Sequence, residues 1–206
     1  MKVRKTLELC LVAGLLFAAL FQGQAQGFLS NKPIEISIFD NATLLPGADQ
    51  WGIVGLPFHP GVSVGTEFRY NENEKNHLFQ TVRLAYTFHR YVQQTLQLYS
   101  EFGYRRQLGL RWDLEGRIGG GYLHAFPHGG IFSQNSNGQY EKVSNWGRPQ
   151  AMLSLAGGPG YRVAGTPEKP VRIFLHYQVY MQMPFVPGYV PLLPNTALHV
   201  GLYFSI

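Results

Sequence analysis

From Thr196 to Ile206 apolar and other side chains alternate without a fault. Leu198, Val200, Leu202, Phe204 and Ile206 point one way, and Ala197, His199, Gly201, Tyr203 and Ser205 the other. Strict period two is the signature of a strand with two different faces. Here it runs to the last residue, and an export signal stands at the other end of the chain. A transmembrane barrel needs both, because its last strand must close the ring against its first.

The N-terminal signal is read from Lys2, Arg4 and Lys5, the apolar stretch Leu7 to Phe21, and the small residues around Ala25. This pattern predicts a secretory signal peptide over residues 1–25, cut after Ala25, and a barrel domain over 26–206. No later segment approaches the roughly 20 apolar residues that a spanning helix requires. Cys10 is the one cysteine and lies inside the leader, where Leu7-Glu8-Leu9-Cys10 is a poor lipidation box. The exported chain then has no thiol, which excludes disulfides and thiolate metal sites. Losing three bases and one acid with the leader lowers the formal charge from +5 to +3. That is too mild to argue for nucleic acid.

Eight segments alternate, with turn residues between them: 33–42, 61–71, 77–90, 94–105, 110–125, 150–163, 170–183 and 196–206. Short connections at 71–76, 106–109 and 164–169 alternate with long ones at 41–60, 126–149 and 184–195, apart from a tight link at 91–93. Outer membrane barrels have short periplasmic turns and longer outside loops, so both chain ends fall on the periplasmic side. Outward positions on the fifth segment (Trp112, Leu114, Ile118, Tyr122) and the seventh (Val171, Ile173, Leu175, Tyr177, Val179, Met181, Met183) suit lipid. Tyr70, Tyr104, Trp112, Tyr161 and Phe204 fall at one level near the periplasmic ends, where an aromatic girdle belongs. A soluble β-sandwich would bury its apolar faces against each other and would not collect charge on the opposite ones. The fold expected is therefore all-β, a transmembrane eight-stranded antiparallel up-and-down barrel in the cell outer membrane.

The chain resembles the small eight-stranded outer membrane barrels of diderm bacteria, the OmpA-type and OmpX-type group. The resemblance is one of general pattern. Its most specific piece is His199-Val200-Gly201-Leu202-Tyr203-Phe204-Ser205-Ile206, similar to the C-terminal signal such barrels present to the barrel assembly machinery, although many end in Phe where this chain ends in Ile. Among barrel enzymes, lipid A deacylases carry a His-x-Ser pair. Here His124 precedes Phe126 at that spacing, His128 precedes Gly130 and His176 precedes Gln178. Nor is there the amphipathic N-terminal helix of palmitoyl-transferring barrels.

The lumen of an eight-stranded barrel is just wide enough to be filled by its own side chains. Inward positions include Glu67, Arg69, Arg83, Gln97, Tyr99, Glu101, Asp113, Glu115, Arg117, Arg162, Arg172, His176, Gln178, Gln182 and His199. Folding the hairpins sets Arg83 against Glu101 and Asp113 against Arg162. Such charges must pair, since a lone buried charge costs several kcal/mol. His176 and His199 fall on neighbouring strands near Tyr180 and Gln178, where hydrogen-bonded core histidines are expected rather than a metal pair. His124, His128 and Ser133 lie together at the third outside loop, which also holds Phe126, Phe132, Tyr140 and Trp146. Aromatics among small polar residues make adaptable contact surfaces.

These readings give no catalytic, cofactor or metal residue. They predict a monomer contacting outer membrane lipids, with a structural or loop-mediated role in the envelope and room for an extracellular ligand on its long loops. A lipid-modifying enzyme with an unfamiliar rim site is second, and a narrow pore third.

Overall fold

A computed structural model describes residues 32–43, 58–89, 93–129, 131–135, 137–143, 146–166, 169–185 and 190–205. The leader expected over residues 1–25 lies outside these residues, as does most of the first outside loop. No described helix is long and apolar enough to cross a membrane. Strands β1 (Pro33–Ala42), β2 (Pro60–Arg69), β3 (Asn76–Phe88), β4 (Gln93–Gln107), β5 (Trp112–Pro127), β8 (Arg148–Gly165), β9 (Pro170–Met183) and β10 (Leu193–Ser205) close into one antiparallel barrel. Its order around the ring is β1-β10-β9-β8-β5-β4-β3-β2, with β1 also paired to β2. The terminal alternation accordingly seals the ring, pairing Phe204 with Ile34 and Val200 with Ile38.

The long 126–149 connection holds a further hairpin that alternation did not reveal: β6 (Ile131–Gln134) and β7 (Tyr140–Val143), paired only with each other. Four-residue strands are too short to register as period two. Its turn is legible in hindsight from Asn135 and Gly138. The Asn135 side-chain oxygen accepts from the Asn137 and Gln139 amides, and Gly138 takes a positive φ of 79°.

Strands β3, β4 and β9 bury one parity and leave the other facing out, while β1 and β10 bury both parities where residues 39–42 meet residues 195–197. Ile36, Val64, Leu84, Leu98, Ile118, Leu155, Leu175 and Val200 form an exposed apolar belt. At its periplasmic edge Trp112 meets Tyr161 edge-on at 4.8 Å, Tyr104 donates to Asn76 Oδ1 at 2.7 Å, and Tyr70 is exposed. Tyr86, Phe88, Tyr122 and Phe126 stand exposed at the opposite edge. A closed ring satisfies its backbone internally while offering lipid an apolar belt between two aromatic edges, so the architecture is that of a transmembrane barrel.

Inside, three aromatic rings lie flat over glycines on the neighbouring strand. Phe39 covers Gly61, Phe79 covers Gly103 and Phe174 covers Gly201, and a Cβ on any of these glycines would sit within 2.3 Å of the ring. Each pair fills the lumen with a side chain too broad for two Cβ-bearing neighbours. This is how a narrow barrel accommodates Phe inward.

Candidate functional site

The lumen is layered along its axis. In the periplasmic half, carboxylates and guanidiniums from six strands form one network. Arg105 on β4 donates to both oxygens of Glu67 on β2 at 3.1 and 2.5 Å, and through Nε to Glu115 on β5 at 2.7 Å. Arg117 Nη2 sits between both oxygens of Glu35 on β1, at 2.9 and 3.1 Å, and its Nε donates to Glu115. Arg83 pairs with Glu35, and Arg172 on β9 donates to Asp113 through Nε at 2.9 Å. Guanidiniums of the network also lie over aromatic rings. The Arg105 guanidinium lies 4.6 Å from the Phe79 ring centre, and those of Arg105 and Arg172 each lie 5.2 Å from Tyr203. All these charges are buried. Bidentate geometry and several partners per ion are what make such burial tolerable.

Above this lies a hydrogen-bonded layer. Ser154 donates to Glu101, and Gln178 donates to Glu101 at 3.3 Å and to Ser154 at 2.9 Å. The Nε2–H of His199 donates to Gln178 Oε1 at 3.0 Å, leaving Nδ1 to accept from the Ser37 hydroxyl at 3.0 Å. That leaves neither ring nitrogen for a metal. His176 pairs directly with His199 across the ladder, as the sequence implied, yet stacks on Phe174 at 4.5 Å. No group of three or more metal-ligating side chains occurs among the described residues.

The extracellular half is closed by Phe39, Ala85, Tyr99, Leu123, Ala125, Met152, Tyr180 and Ala197, which pack as one apolar cluster. A polar lid covers it. Tyr180 donates to Asn41 at 2.7 Å, Gln93 to Gln182 at 3.0 Å, and Gln182 to Gln150, whose own amide reaches the Pro184 carbonyl at 2.7 Å. At the rim His59 and His89 stack face to face, centroids 3.5 Å apart and planes within 11°. Burial, and then the neighbouring His59, hold His89 below its ordinary value.

Two pairings expected from sequence are corrected. Arg83 faces Tyr99 across the ladder and binds Glu35 instead of Glu101. Asp113 faces Gly160 and binds Arg172, while Arg162 lies two residues further along, where it donates to the Leu110 carbonyl at the exposed turn. A two-residue register error suffices for each. Arg69 also leaves the lumen and donates to the Asn73 carbonyl.

His124 faces outward, its Nδ1 2.6 Å from the Tyr122 hydroxyl and its Nε2 2.9 Å from the Trp146 carbonyl. His128 is exposed, and the side chains of Ser133 and Phe132 lie outside the described residues. Of the loop aromatics, Tyr140 and Trp146 stand 72% and 83% exposed, so neither packs over the barrel mouth.

A sealed polar lumen inside a lipid-facing ring defines an outer membrane β-barrel of the small eight-stranded class. No family model and no curated protein matches the chain. Among solved structures it is similar to Neisserial surface protein A, at 10% identity and a TM-score of 0.52, covering 85% of this chain and 96% of that one. Also similar are the outer membrane enzyme PagL (9% identity, TM-score 0.48, 84% and 99% covered) and Ail, the attachment invasion locus protein of Yersinia pestis (12%, 0.43, 84% and 98%). At such identities the likeness extends to the fold alone.

Proposed function

We propose that this protein is a non-conducting scaffold of the outer membrane that holds an outside loop in position for contact with an extracellular ligand. The observation that carries the reading is the continuous filling of the lumen. Ion pairs link opposite walls below, and an apolar cluster with an amide lid shuts the other half. A solute path would have to break buried ion pairs, at about 3–5 kcal/mol for each partner lost. Function then falls to what the rigid ring displays. The 128–147 connection supports this, since it raises the β6–β7 hairpin on the barrel and leaves Tyr140 and Trp146 bare. During biogenesis the β10 strand, with Phe204 and Tyr203, is the element that the barrel assembly machinery would read.

Conductance across a planar bilayer tests the closed lumen: the refolded protein is expected to give no stable openings, and sizeable steady openings would overturn it. Replacing 131–143 by a short Gly-Ser turn tests the display role. Barrel folding should persist while binding of cells to extracellular matrix or host surfaces falls; unchanged binding would remove the role from this loop.

A further inference from the structure

The outward belt is not uniform around the ring. On β8, β9 and β10 it presents Leu153, Leu155, Ile173, Leu175, Val200 and Leu202 to lipid. On β3 and β4 the same belt carries an amide and a hydroxyl. Gln80 stands between Leu78 and Val82 along β3, opposite Phe102, one outward pair above the girdle level marked by Tyr104. Ser100 stands half-way along β4, opposite Val82 on one side and Gly120 on the other. Gln80 Nε2 donates to Ser100 Oγ at 2.7 Å, and the girdle hydroxyl of Tyr70 donates to Gln80 Oε1. Both Gln80 and Ser100 remain partly exposed on the lipid-facing side.

A primary amide has two N–H donors and two acceptor lone pairs. These two bonds use one of each, leaving one donor and one acceptor on the lipid-facing side, one outward pair inside the girdle. Two copies inserted the same way round in one membrane can share a two-fold axis only along the membrane normal, so every residue at the axis meets its own counterpart at its own depth. Gln80 would then face Gln80. One spare N–H and one spare lone pair on each side match in a reciprocal amide pair. We infer that this protein pairs with a second copy of itself inside the membrane through the outward face of β3 and β4, with Gln80 at the centre and Val82, Leu84, Leu98 and Phe102 around it.

Single-cysteine crosslinking in intact outer membranes tests this. In a Cys10→Ser background, Val82→Cys is placed beside Gln80 and Leu175→Cys on β9, diametrically opposite in the ring order. A mild oxidant is expected to give at least tenfold more disulfide-linked dimer from Val82→Cys than from Leu175→Cys. Adding Gln80→Leu should cut the Val82→Cys yield several-fold while both proteins keep the mobility shift on boiling that reports a folded barrel. Equal crosslinking at the two sites, or a yield indifferent to Gln80→Leu, would overturn the pairing. So would native mass spectrometry of the detergent-extracted protein showing a monomer with one retained lipid that Gln80→Leu releases, which would make the cluster a lipid site.

Discussion

Arg172 reaches Asp113 across the bare α-carbon of Gly160. A Cβ built on that glycine would lie 2.5 Å from both the Arg172 guanidinium and an Asp113 oxygen. The ion pair therefore depends on a third residue that bears no charge. Gly160→Ala is expected to push the two charged ends apart and destabilise the folded barrel by about 1–3 kcal/mol, the cost of overpacking. Urea unfolding in lipid vesicles, followed by boiling-dependent gel mobility, measures it. A midpoint within error of the parent protein would show that Arg172 can bind Asp113 by another route.

Arg117 is the hub of the network, bonded to Glu35 and Glu115 and 3.9 Å from Glu101. Arg117→Met removes the charge, keeps most of the volume, and leaves buried carboxylates short of a cation. A loss of about 3–5 kcal/mol is expected. Arg117→Met combined with Glu35→Gln should recover part of it, because the second change removes one of the stranded charges. Additive losses in the double variant would mean that the two residues act independently.

How much of this was open to sequence reading depends on what alternation encodes. Period two reports which face a residue occupies, so Glu67, Arg83, Glu101, Glu115, Arg117 and Arg172 were all assigned to the lumen, where they are buried. It does not report register. Folding the hairpins matches Arg83 to Glu101 and Asp113 to Arg162, while the true partners, Glu35 and Arg172, lie on other strands. Contacts across a lumen depend on barrel shear and on small residues such as Gly160, and neither leaves a periodic signal. The β6–β7 hairpin and the Phe–Gly pairs leave no periodic signal for a like reason: the first is too short to alternate twice, and the second joins residues far apart in the chain.

Phe79 over Gly103 offers a test of the packing device. Gly103→Ala would place a methyl within 2.3 Å of the Phe79 ring, which itself lies beneath the Arg105 and Arg117 guanidiniums. The ring cannot turn without moving both ions. Overpacking of this kind costs about 1–3 kcal/mol, and Phe79→Leu in the same chain should relieve it by freeing the space. If thermal unfolding shows Gly103→Ala to be neutral, or the Phe79→Leu combination to be worse than either single change, the ring is not the obstacle.

The mouth should respond to acid. His89 lies beyond the end of β3, stacked on His59, whose amide donates to Asp40 Oδ1 at 2.8 Å and whose carbonyl accepts from the Asn41 amide at 3.0 Å. Burial is the larger cause and the His59 ring the second that hold His89 below the ordinary histidine value near 6.5. A histidine depressed in the folded state binds its proton more readily when its surroundings open. The stabilisation it gives is therefore complete above pH 6.5 and is lost as pH falls through the lower, folded value. Protection of the Asn41 and His59 amides, taken relative to their intrinsic exchange rate at each pH, is expected to fall over that interval while the ladder amides of β3 keep theirs. His89→Phe keeps an aromatic ring on His59 but cannot charge, so its protection should stay flat with pH. An identical acid response in His89→Phe would assign the titration to some other group at the mouth.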